Sequence, residues 1–300
     1  MKTLIWKSKI TEITGIKYPI VMGAFAFLGK AEFAAAFSNA GGLGIISALN
    51  FKNSSDFESE LKKMNDLTDK PYGVNFSIMP PEILDKTGKG RSEESYLGFV
   101  DIAINAGVKV CTTSGYQANK IGKKLKDGNC HWFHKCTIIN HAVSAEKMGA
   151  DAVTLVGLEG VGHKNPLQNT TLINITMARK TLNIPIIAAG GIGDARGFLA
   201  ALAMGADAVC FGSAIIATSE SPASENWKNQ IIHQDIFEED FYNNIFHFQF
   251  DTSRFPIGSM AIGHCDKIIS IKEFIEDKIV KNAEEILAKW NFNSNEFCLY

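Results

Sequence analysis

The hexapeptide Met-Gly-Ala-Asp-Ala-Val occurs twice in this chain, at residues 148–153 and 204–209. Each copy predicts the same joint, in which a helix ends, a glycine turns the backbone, and a strand begins. The copies start 56 residues apart, which fits two strand–helix units of about 28 residues each. Looser versions of the joint follow Ser38 and Ile104. Repetition of one strand–helix unit indicates a ring or a row of parallel strands.

Eight short apolar segments are predicted to be strands, with a helical segment after nearly every one. A parallel sheet covered by helices has strands that are apolar on both faces, and these segments match that pattern. An open doubly wound sheet is the alternative, but eight units in about 190 residues favour closure into a ring. The predicted strands are 19–23, 43–47, 73–77, 108–112, 132–138, 152–156, 186–189 and 208–211, and the predicted helices are 30–39, 55–65, 92–105, 116–126, 142–148, 168–181 and 194–204.

The predicted fold class is therefore α/β, a (β/α)8 TIM barrel with a C-terminal helical extension. The barrel is expected at 10–218 and the extension at 219–300. Aromatic residues are dense at 237–255, and a helix with one charged and one apolar face is predicted at 270–290. The extension is interpreted as a cap packed on the barrel, with a lid over the active site or a docking site for a partner as alternatives.

Composition excludes several classes of partner. Charged residues make up 21% of the 300 residues and the net charge is −2, so no strong field attracts nucleic acid or anionic lipid. We read no signal peptide and no apolar run of the ~18 residues that a membrane span needs. The six cysteines form no Cys-x-x-Cys pair and no short metal-ligand set. These features predict a cytoplasmic protein with reduced thiols and no metal site.

Two glycine-containing loops follow the last two predicted strands. Gly190 and Gly191 follow strand 186–189, and Gly212 and Ser213 follow strand 208–211. Glycine lets backbone N–H groups approach an anion closely, and the loops after the last two strands of such a barrel are a common phosphate site. A dinucleotide fingerprint is not formed, since Arg196 stands where its third glycine would be. These loops predict a phosphorylated ligand.

Three further polar residues follow or lie in predicted strands. His163 ends the loop Glu159-Gly-Val-Gly-His after the sixth strand, at the end of the barrel that carries active sites. Its imidazole could accept a proton from a carbon acid, with a purely structural histidine as the alternative. Lys135 lies in the fifth strand and faces either an anion inside the barrel or water outside it. Asn75 lies near the end of the third strand, where its amide could bond a flat heterocycle.

With these residues in hand, the chain resembles the FMN-dependent family of nitronate monooxygenases, also called 2-nitropropane dioxygenases, and their flavin-dependent enoyl-ACP reductase relatives. The matching pieces keep their order and spacing from about residue 10 to 222, and a fainter match covers 259–264. The pieces are Gly15-Ile-Lys-Tyr-Pro-Ile-Val-Met-Gly, Ser38-Asn-Ala-Gly-Gly-Leu-Gly, Gly73-Val-Asn, His134-Lys-Cys-Thr, Glu159-Gly-Val-Gly-His, Ala189-Gly-Gly-Ile-Gly-Asp and Met204-Gly-Ala-Asp-Ala-Val-Cys-Phe-Gly-Ser.

The resemblance implies FMN at the barrel mouth and a role for each matched residue. His163 would be the catalytic base for the α-proton of the substrate. Lys135 would face the N1–C2 carbonyl edge of the flavin. The resemblance also implies other cofactor-binding residues. Gly23, Ala24 and Asn75 would lie along the flavin ring. The others lie in the loops after the last three strands, which include the phosphate site (Gly160, Gly190, Gly191, Gly212, Ser213).

The resemblance leaves the substrate open. Lys164-Asn165-Pro166 follows the histidine where the family often has another glycine, and Phe25 and Phe27 stand where small residues or methionine are commoner. The leading hypothesis is oxidation of alkyl nitronates by oxygen. A flavin enoyl-ACP reductase that uses NAD(P)H is the first alternative, and a non-redox isomerase or aldolase acting on a sugar phosphate is the second. The predicted partner is a small molecule, a nitronate or an enoyl thioester, and assembly as a homodimer is left open.

Overall fold

The computed structural model describes residues 5–87, 90–162, 164–246, 257–290 and 296–298. Within these ranges, eight parallel strands form one sheet with helices packed outside it. The strands are β1 (Ile5–Lys7), β2 (Ile20–Met22), β3 (Gly44–Ser47), β4 (Tyr72–Ser77), β5 (Val110–Ser114), β6 (His131–Cys136), β7 (Ala152–Val156), β8 (Ile186–Ala189), β9 (Ala208–Phe211) and β10 (Glu296–Cys298). The sheet contains β2 to β9, while β1 pairs with β10 apart from it.

The helices alternate with the strands as the repeated joint predicts. They are α1 (Lys9–Thr14), α2 (Ala31–Asn39), α3 (Ser54–Leu67), α4 (Pro81–Thr87), α5 (Glu93–Asn105), α6 (Asn119–Asp127), α7 (Ile139–Lys147), α8 (Thr171–Arg179), α9 (Ala195–Ala203), α10 (Glu225–His233), α11 (Glu239–Phe246) and α12 (Asn282–Lys289). Short 3-10 helices cover Ala48–Asn50, Ser213–Ile215 and Met260–His264, and a π-helix covers Glu273–Lys281.

The sheet closes into a barrel between its two end strands, β2 and β3. Met22 N–H donates to Leu43 C=O and Leu43 N–H donates to Ile20 C=O, each at 2.9 Å. These bonds continue the parallel pairing across the seam, where Val21 and Leu43 form a bridge. The TIM barrel predicted from the sequence is confirmed, and the open doubly wound sheet is not what forms. All loops at the carboxyl ends of the strands therefore surround one mouth.

The repeated hexapeptide builds the same joint at both places. Gly149 and Gly205 have φ of 92° and 104°, a left-handed conformation that glycine adopts without a side-chain clash. The aspartate of each copy then accepts a hydrogen bond from a backbone N–H at the start of the preceding strand. Asp151 accepts from Trp132 N–H at 2.8 Å, and Asp207 accepts from Ile186 N–H at 2.9 Å. The aspartates thus fix the relative height of adjacent strands.

The chain after residue 218 packs on the barrel through apolar contacts. Phe274, in the π-helix, meets Phe211 of β9 edge-on, with ring centroids 5.2 Å apart. At the other end of the chain, Trp6 of β1 contacts Phe297 of β10 and Phe198 of α9, at 5.1 and 5.3 Å between centroids. These contacts agree with a packed cap, and the boundary at residue 218 stays a prediction. Part of the aromatic segment 237–255, from 247 onward, lies outside the described residues.

Two observations bear on the environment of the protein. No helix in the described ranges is long and apolar enough to cross a membrane. All six cysteines fall within those ranges and are free thiols.

Candidate active site

Asn75 lies near the end of β4 and is 2% exposed. Its Oδ1 accepts hydrogen bonds from Thr112 Oγ1 at 2.8 Å and from Ser114 Oγ at 3.4 Å, both on the neighbouring strand β5. Its Nδ2 donates no hydrogen bond to another described residue. The two hydroxyls therefore orient the amide.

Lys135 lies on the inward face of β6. Trp132 of the same strand faces outward, because its ring lies against Gly122 of helix α6, and side chains alternate between the two faces of a strand. Lys135 is half-buried. Burial raises the pKa of the Cys210 thiol on β9 to about 11, and the charge of Lys135 opposes that shift. Of the two orientations that the sequence leaves open, the structure has the inward one.

His134, the residue before Lys135, belongs to the outer face. Its Nδ1 lies 2.7 Å from Thr113 Oγ1, and its side chain is buried. Burial first, and then the nearby His141, lower the pKa of His134 to about 4. A neutral imidazole buried on the outer face of the barrel is not available as a base at the mouth.

The turn after β8 accepts only glycine at two successive positions. Gly190 and Gly191 have φ of 102° and 74°. A Cβ at Gly191 would lie 2.9 Å from Glu159 Cβ, and one at Gly190 would lie 2.9 Å from Gly157 N. Thr171 binds both loops, since its N–H donates to the Glu159 carboxylate at 2.9 Å and its Oγ1 lies 2.8 Å from Gly190 O. The loops after β7 and β8 thus pack tightly together.

The loop after β9 offers open space. Nothing lies within 4 Å of a Cβ built on Gly212. Gly23, after β2, reaches this loop through a 2.7 Å hydrogen bond from its N–H to Phe211 C=O, and its Cβ position lies 3.0 Å from Gly212 Cα. Ser213 is buried, and its Oγ accepts from Ser259 N–H at 2.9 Å. The structure therefore brings Gly23, Gly212 and Ser213 together.

His163, the predicted base, lies outside the described residues. In the described part of the loop after β7, Gly162 is exposed with φ of 109°. Lys164 Nζ donates to Leu158 C=O at 2.5 Å and to Gly160 C=O at 2.6 Å, which ties the loop to its own start. Burial lowers the pKa of Lys164 to about 8, against a smaller opposing effect of the Glu159 carboxylate.

The two remaining predicted residues also lie at this end of the barrel. Gly160 is buried, and a Cβ there would lie 3.4 Å from Gly190 Cα. Ala24 follows Gly23 and is half-buried against the core. Every described residue of the predicted site therefore lies in or beside the loops at the barrel mouth.

A surface groove elsewhere does not compete with this site. It has a volume of about 340 Å³ and lies between residues 266–269 and the helical stretch 273–285. Carboxylates and lysines alternate along it, among them Asp277, Lys278 and Lys281, and none of the predicted site residues lines it. Among the described residues, no group of three or more His, Cys, Asp or Glu side chains could hold a metal ion.

Comparison with known proteins identifies the family of this barrel. The family model for nitronate monooxygenase matches residues 7–240. A probable nitronate monooxygenase from Staphylococcus aureus is 30% identical, over 76% of this chain and 72% of that protein. The chain belongs to the nitronate monooxygenase family. It is therefore a flavin-dependent oxidoreductase.

Other proteins similar to this chain have different names. A carboxyl-CoA dehydrogenase of Rhodococcus jostii, which acts on a hydroxy-methyl-oxo-octahydroindene substrate, is 30% identical over 77% of this chain and 61% of its own length. The structure of FabK from Thermotoga maritima superposes with a TM-score of 0.78 at 27% identity, covering 95% of this chain and 98% of that one. A nitroalkane oxidase from Streptomyces ansochromogenes shares the fold, with a TM-score of 0.74 at 20% identity over 93% and 99% of the two chains.

One element of the candidate site, the segment 257–265, was not predicted from the sequence. Besides the bond from Ser259 to Ser213, Met260 N–H donates to Glu159 C=O at 3.1 Å and Cys265 Sγ donates to Ala214 C=O at 3.4 Å. The segment 257–265 therefore links the loop after β7 to the loop after β9 through hydrogen bonds. The faint resemblance at 259–264 was a signal, but nothing in its spacing connected it to loops that lie 46 residues or more earlier.

Proposed function

We propose that this protein is an FMN-dependent oxidoreductase of nitronate monooxygenase type, which oxidises alkyl nitronates with molecular oxygen. The observation that carries the proposal is the inward, half-buried Lys135, on the same face of the barrel as Asn75, in a chain whose residues 7–240 match the family. A lysine inside a barrel is costly unless it meets an anion or water. The mouth of this barrel is thus suited to a planar, electron-accepting ligand.

The residues present fit the phosphate of FMN. The open space at Gly212 would admit phosphate oxygens, while the bare turn at Gly190 and Gly191 lets backbone approach them. Ser213 would add a hydroxyl. The structure thus supports holding the phosphate between the loops after β8 and β9.

The flavin ring would rest on groups from β2, β4 and β6. Gly23 and Ala24 would lie along it, Asn75 would donate from Nδ2, Gly160 would contact it from the loop after β7, and Lys135 would supply a cation to its pyrimidine edge. When bound, the flavin supplies a two-electron acceptor that oxygen can reoxidise.

His163 is proposed to accept the α-proton of a neutral nitroalkane on an imidazole nitrogen. A general base contributes about 10²–10⁴-fold to such a step, so His163→Ala should lose that much activity on a neutral nitroalkane. The loss should be much smaller on the nitronate, which has already lost the proton. The rising limb of the pH profile, between about pH 6 and 8, should be absent from the variant.

A matched control for this variant is His233→Ala, since His233 is on α10 with its Nδ1 bonded to Asn229 C=O at 2.8 Å. Its activity and pH profile should equal those of the wild type. Equal activity of His163→Ala and wild type on the neutral substrate would remove His163 from the mechanism.

Oxygen uptake tests the proposed function. The purified protein should consume oxygen when given an alkyl nitronate without NAD(P)H. Uptake or turnover that requires NAD(P)H, with no response to nitronate, would overturn the proposal.

One alternative has specific support. FabK matches this chain at higher identity than the nitroalkane oxidase does, 27% against 20%. The alternative is an NAD(P)H-dependent flavin enoyl-ACP reductase. NADPH oxidation that depends on an enoyl thioester would favour it.

Location and assembly are further proposals. We place the protein in the cytoplasm because all six thiols are free, as is usual in a reducing compartment. Its partner is proposed to be a small molecule, and a homodimer stays a prediction to be tested by the mass in solution.

A further inference from the structure

Phe27 has a backbone conformation that aromatic residues rarely adopt. Its φ is 68°, in the left-handed region, and its side chain is 83% exposed. For a bulky residue this conformation is an outlier, because Cβ crowds the backbone. Because the ring is so exposed, burial of its apolar surface does little to offset the cost of this backbone conformation. The free protein therefore carries an unfavourable residue at a point where glycine would suit the backbone.

The conformation of Phe27 is held by Asn50, the last residue of the 3-10 helix that follows β3. Asn50 Oδ1 accepts from Phe27 N–H at 2.6 Å, and its Nδ2 donates to Gly29 C=O at 3.0 Å and to Phe25 C=O at 3.3 Å. One amide thus holds three backbone groups of the loop after β2. Strain that the surroundings maintain in this way is concentrated at functional sites.

Phe27 belongs to an apolar rim around the mouth. Its loop follows β2, and Asn50 ends the 3-10 helix after β3, so both lie at the carboxyl ends of barrel strands. Tyr116, after β5, is 42% exposed, and Leu167, after β7, is 71% exposed. The mouth thus combines a polar interior, with Lys135 and Asn75, and large apolar side chains on the loops above it.

We propose that Phe27, positioned by Asn50, binds the hydrocarbon chain of the substrate, and that the substrate is an amphipathic molecule with a small planar anionic head and a tail of several carbons. The inference rests on the proposed function and narrows its substrate class. The head lies inside the barrel mouth, and the tail crosses the rim at Phe27. Contact with the tail removes the ring from water, which is the benefit that the free protein lacks.

The test uses the flavin-loaded protein and a series of primary nitronates from ethyl to octyl. In the wild type, KM should fall as the chain lengthens. Phe27→Gly should flatten this dependence, so that the ratio of KM for octyl nitronate to KM for ethyl nitronate rises roughly tenfold. The melting temperature of Phe27→Gly should be at or above that of the wild type, because glycine relieves the strain. Phe237→Ala is the control, since that ring is 82% exposed before α11 and its loss should not change the ratio.

Asn50→Ala tests the positioning role. It should flatten the chain-length dependence as Phe27→Gly does, and the double variant should show no further change, because both act on one contact. Additive effects of the two changes, or an unchanged ratio in Phe27→Gly, would overturn the proposal.

Binding of n-alkyl carboxylates separates this inference from the proposed function. These planar anions imitate nitronates without reacting, and their affinity is read from the flavin spectrum. If no nitronate is oxidised but longer carboxylates bind more tightly and Phe27→Gly abolishes the trend, the proposed function fails and the tail contact stands. If nitronates are oxidised with no dependence on chain length, the tail contact fails and the function stands.

Discussion

Gly212 is the sharpest single-residue probe of the phosphate site. Its Cβ position is open, with no atom within 4 Å, so a side chain placed there would clash with no neighbouring residue. Gly212→Asp should therefore fold and yet fail to retain the flavin, because its carboxylate would repel the phosphate. We expect the dissociation constant for FMN to rise by at least roughly tenfold, measured by fluorescence titration of the apoprotein.

Gly98→Asp is the matched control for this change. Gly98 is exposed on α5, with nothing within 4 Å of its Cβ position. The Gly98→Asp variant therefore adds the same charge on the outer surface. Gly191→Asp is a poorer probe, since its positive φ and the contact with Glu159 would disturb the fold itself. Full flavin content in Gly212→Asp would contradict the phosphate site.

Lys164 gives a prediction of stability against pH. Its ordinary pKa is 10.5, and burial in the folded state lowers the pKa to about 8. Between these values the unfolded chain holds a proton that the folded chain has released, so this group makes the free energy of unfolding rise as pH rises. The stability advantage of wild type over Lys164→Met should be constant below pH 8 and should grow from pH 8 to about 10.5.

Urea unfolding at pH 7, 8, 9 and 10 would measure this difference. Lys62→Met, at an exposed position on α3, is the control and should differ from wild type by an amount that does not vary with pH. A wild-type advantage that stays constant from pH 8 to pH 10 would contradict this prediction, because it would mean that Lys164 remains charged in the folded state through its bonds to the two carbonyls.

The role of a single residue could be predicted when it depended on the local backbone, and not when it depended on contacts with distant parts of the chain. Lys135 and Asn75 were identified because strand alternation limits each side chain to two directions, and the structure supplied the choice. The hydroxyls that orient Asn75 and the carbonyls that hold Lys164 were not predicted, because the partners of a polar side chain depend on packing between strands and loops. The positive φ of Phe27 could not be predicted from the sequence, because phenylalanine normally adopts a negative φ.

At the scale of elements, the repeated aspartates should contribute unequally to stability. Asp207 is buried beside Arg179, at 3.4 Å, whereas the side chain of Asp151 is 21% exposed. Asp207→Ala leaves the N–H of Ile186 without an acceptor and should cost about 1–3 kcal/mol of unfolding free energy. Asp151→Ala should cost less, because water can replace the lost acceptor of Trp132 N–H. Chemical denaturation of both variants checks the order, and equal losses would contradict it.

The elements themselves were largely predictable. All eight barrel strands were placed within a few residues, because short apolar runs between glycine joints leave little freedom. Helix α9 begins within the predicted range 194–204, where Asp194 caps it by accepting a hydrogen bond on Oδ1 from Gly197 N–H at 2.8 Å. The π-helix at Glu273–Lys281, within the predicted helix 270–290, was not predicted. Periodicity indicates a helix there but does not fix which carbonyl each N–H binds.

At the scale of the whole molecule, the barrel collects groups that are far apart in sequence. Gly23 meets Gly212 across the strand pair β2–β9, and segment 257–265 joins the loops after β7 and β9. The closure of the ring by β2 and β3 is what makes one mouth from these loops. The closed barrel thus brings these separate segments of the chain to one end of the molecule.

The central claim, a flavin at this mouth that a nitronate reduces and oxygen reoxidises, has one direct test. Oxygen is removed from a solution of the purified protein, and ethyl nitronate or NADPH is then added. The absorbance at about 450 nm is followed throughout. We predict a flavin spectrum that bleaches with nitronate, does not bleach with NADPH, and returns when oxygen is admitted. A colourless protein, or a flavin that NADPH bleaches and nitronate does not, would contradict the claim.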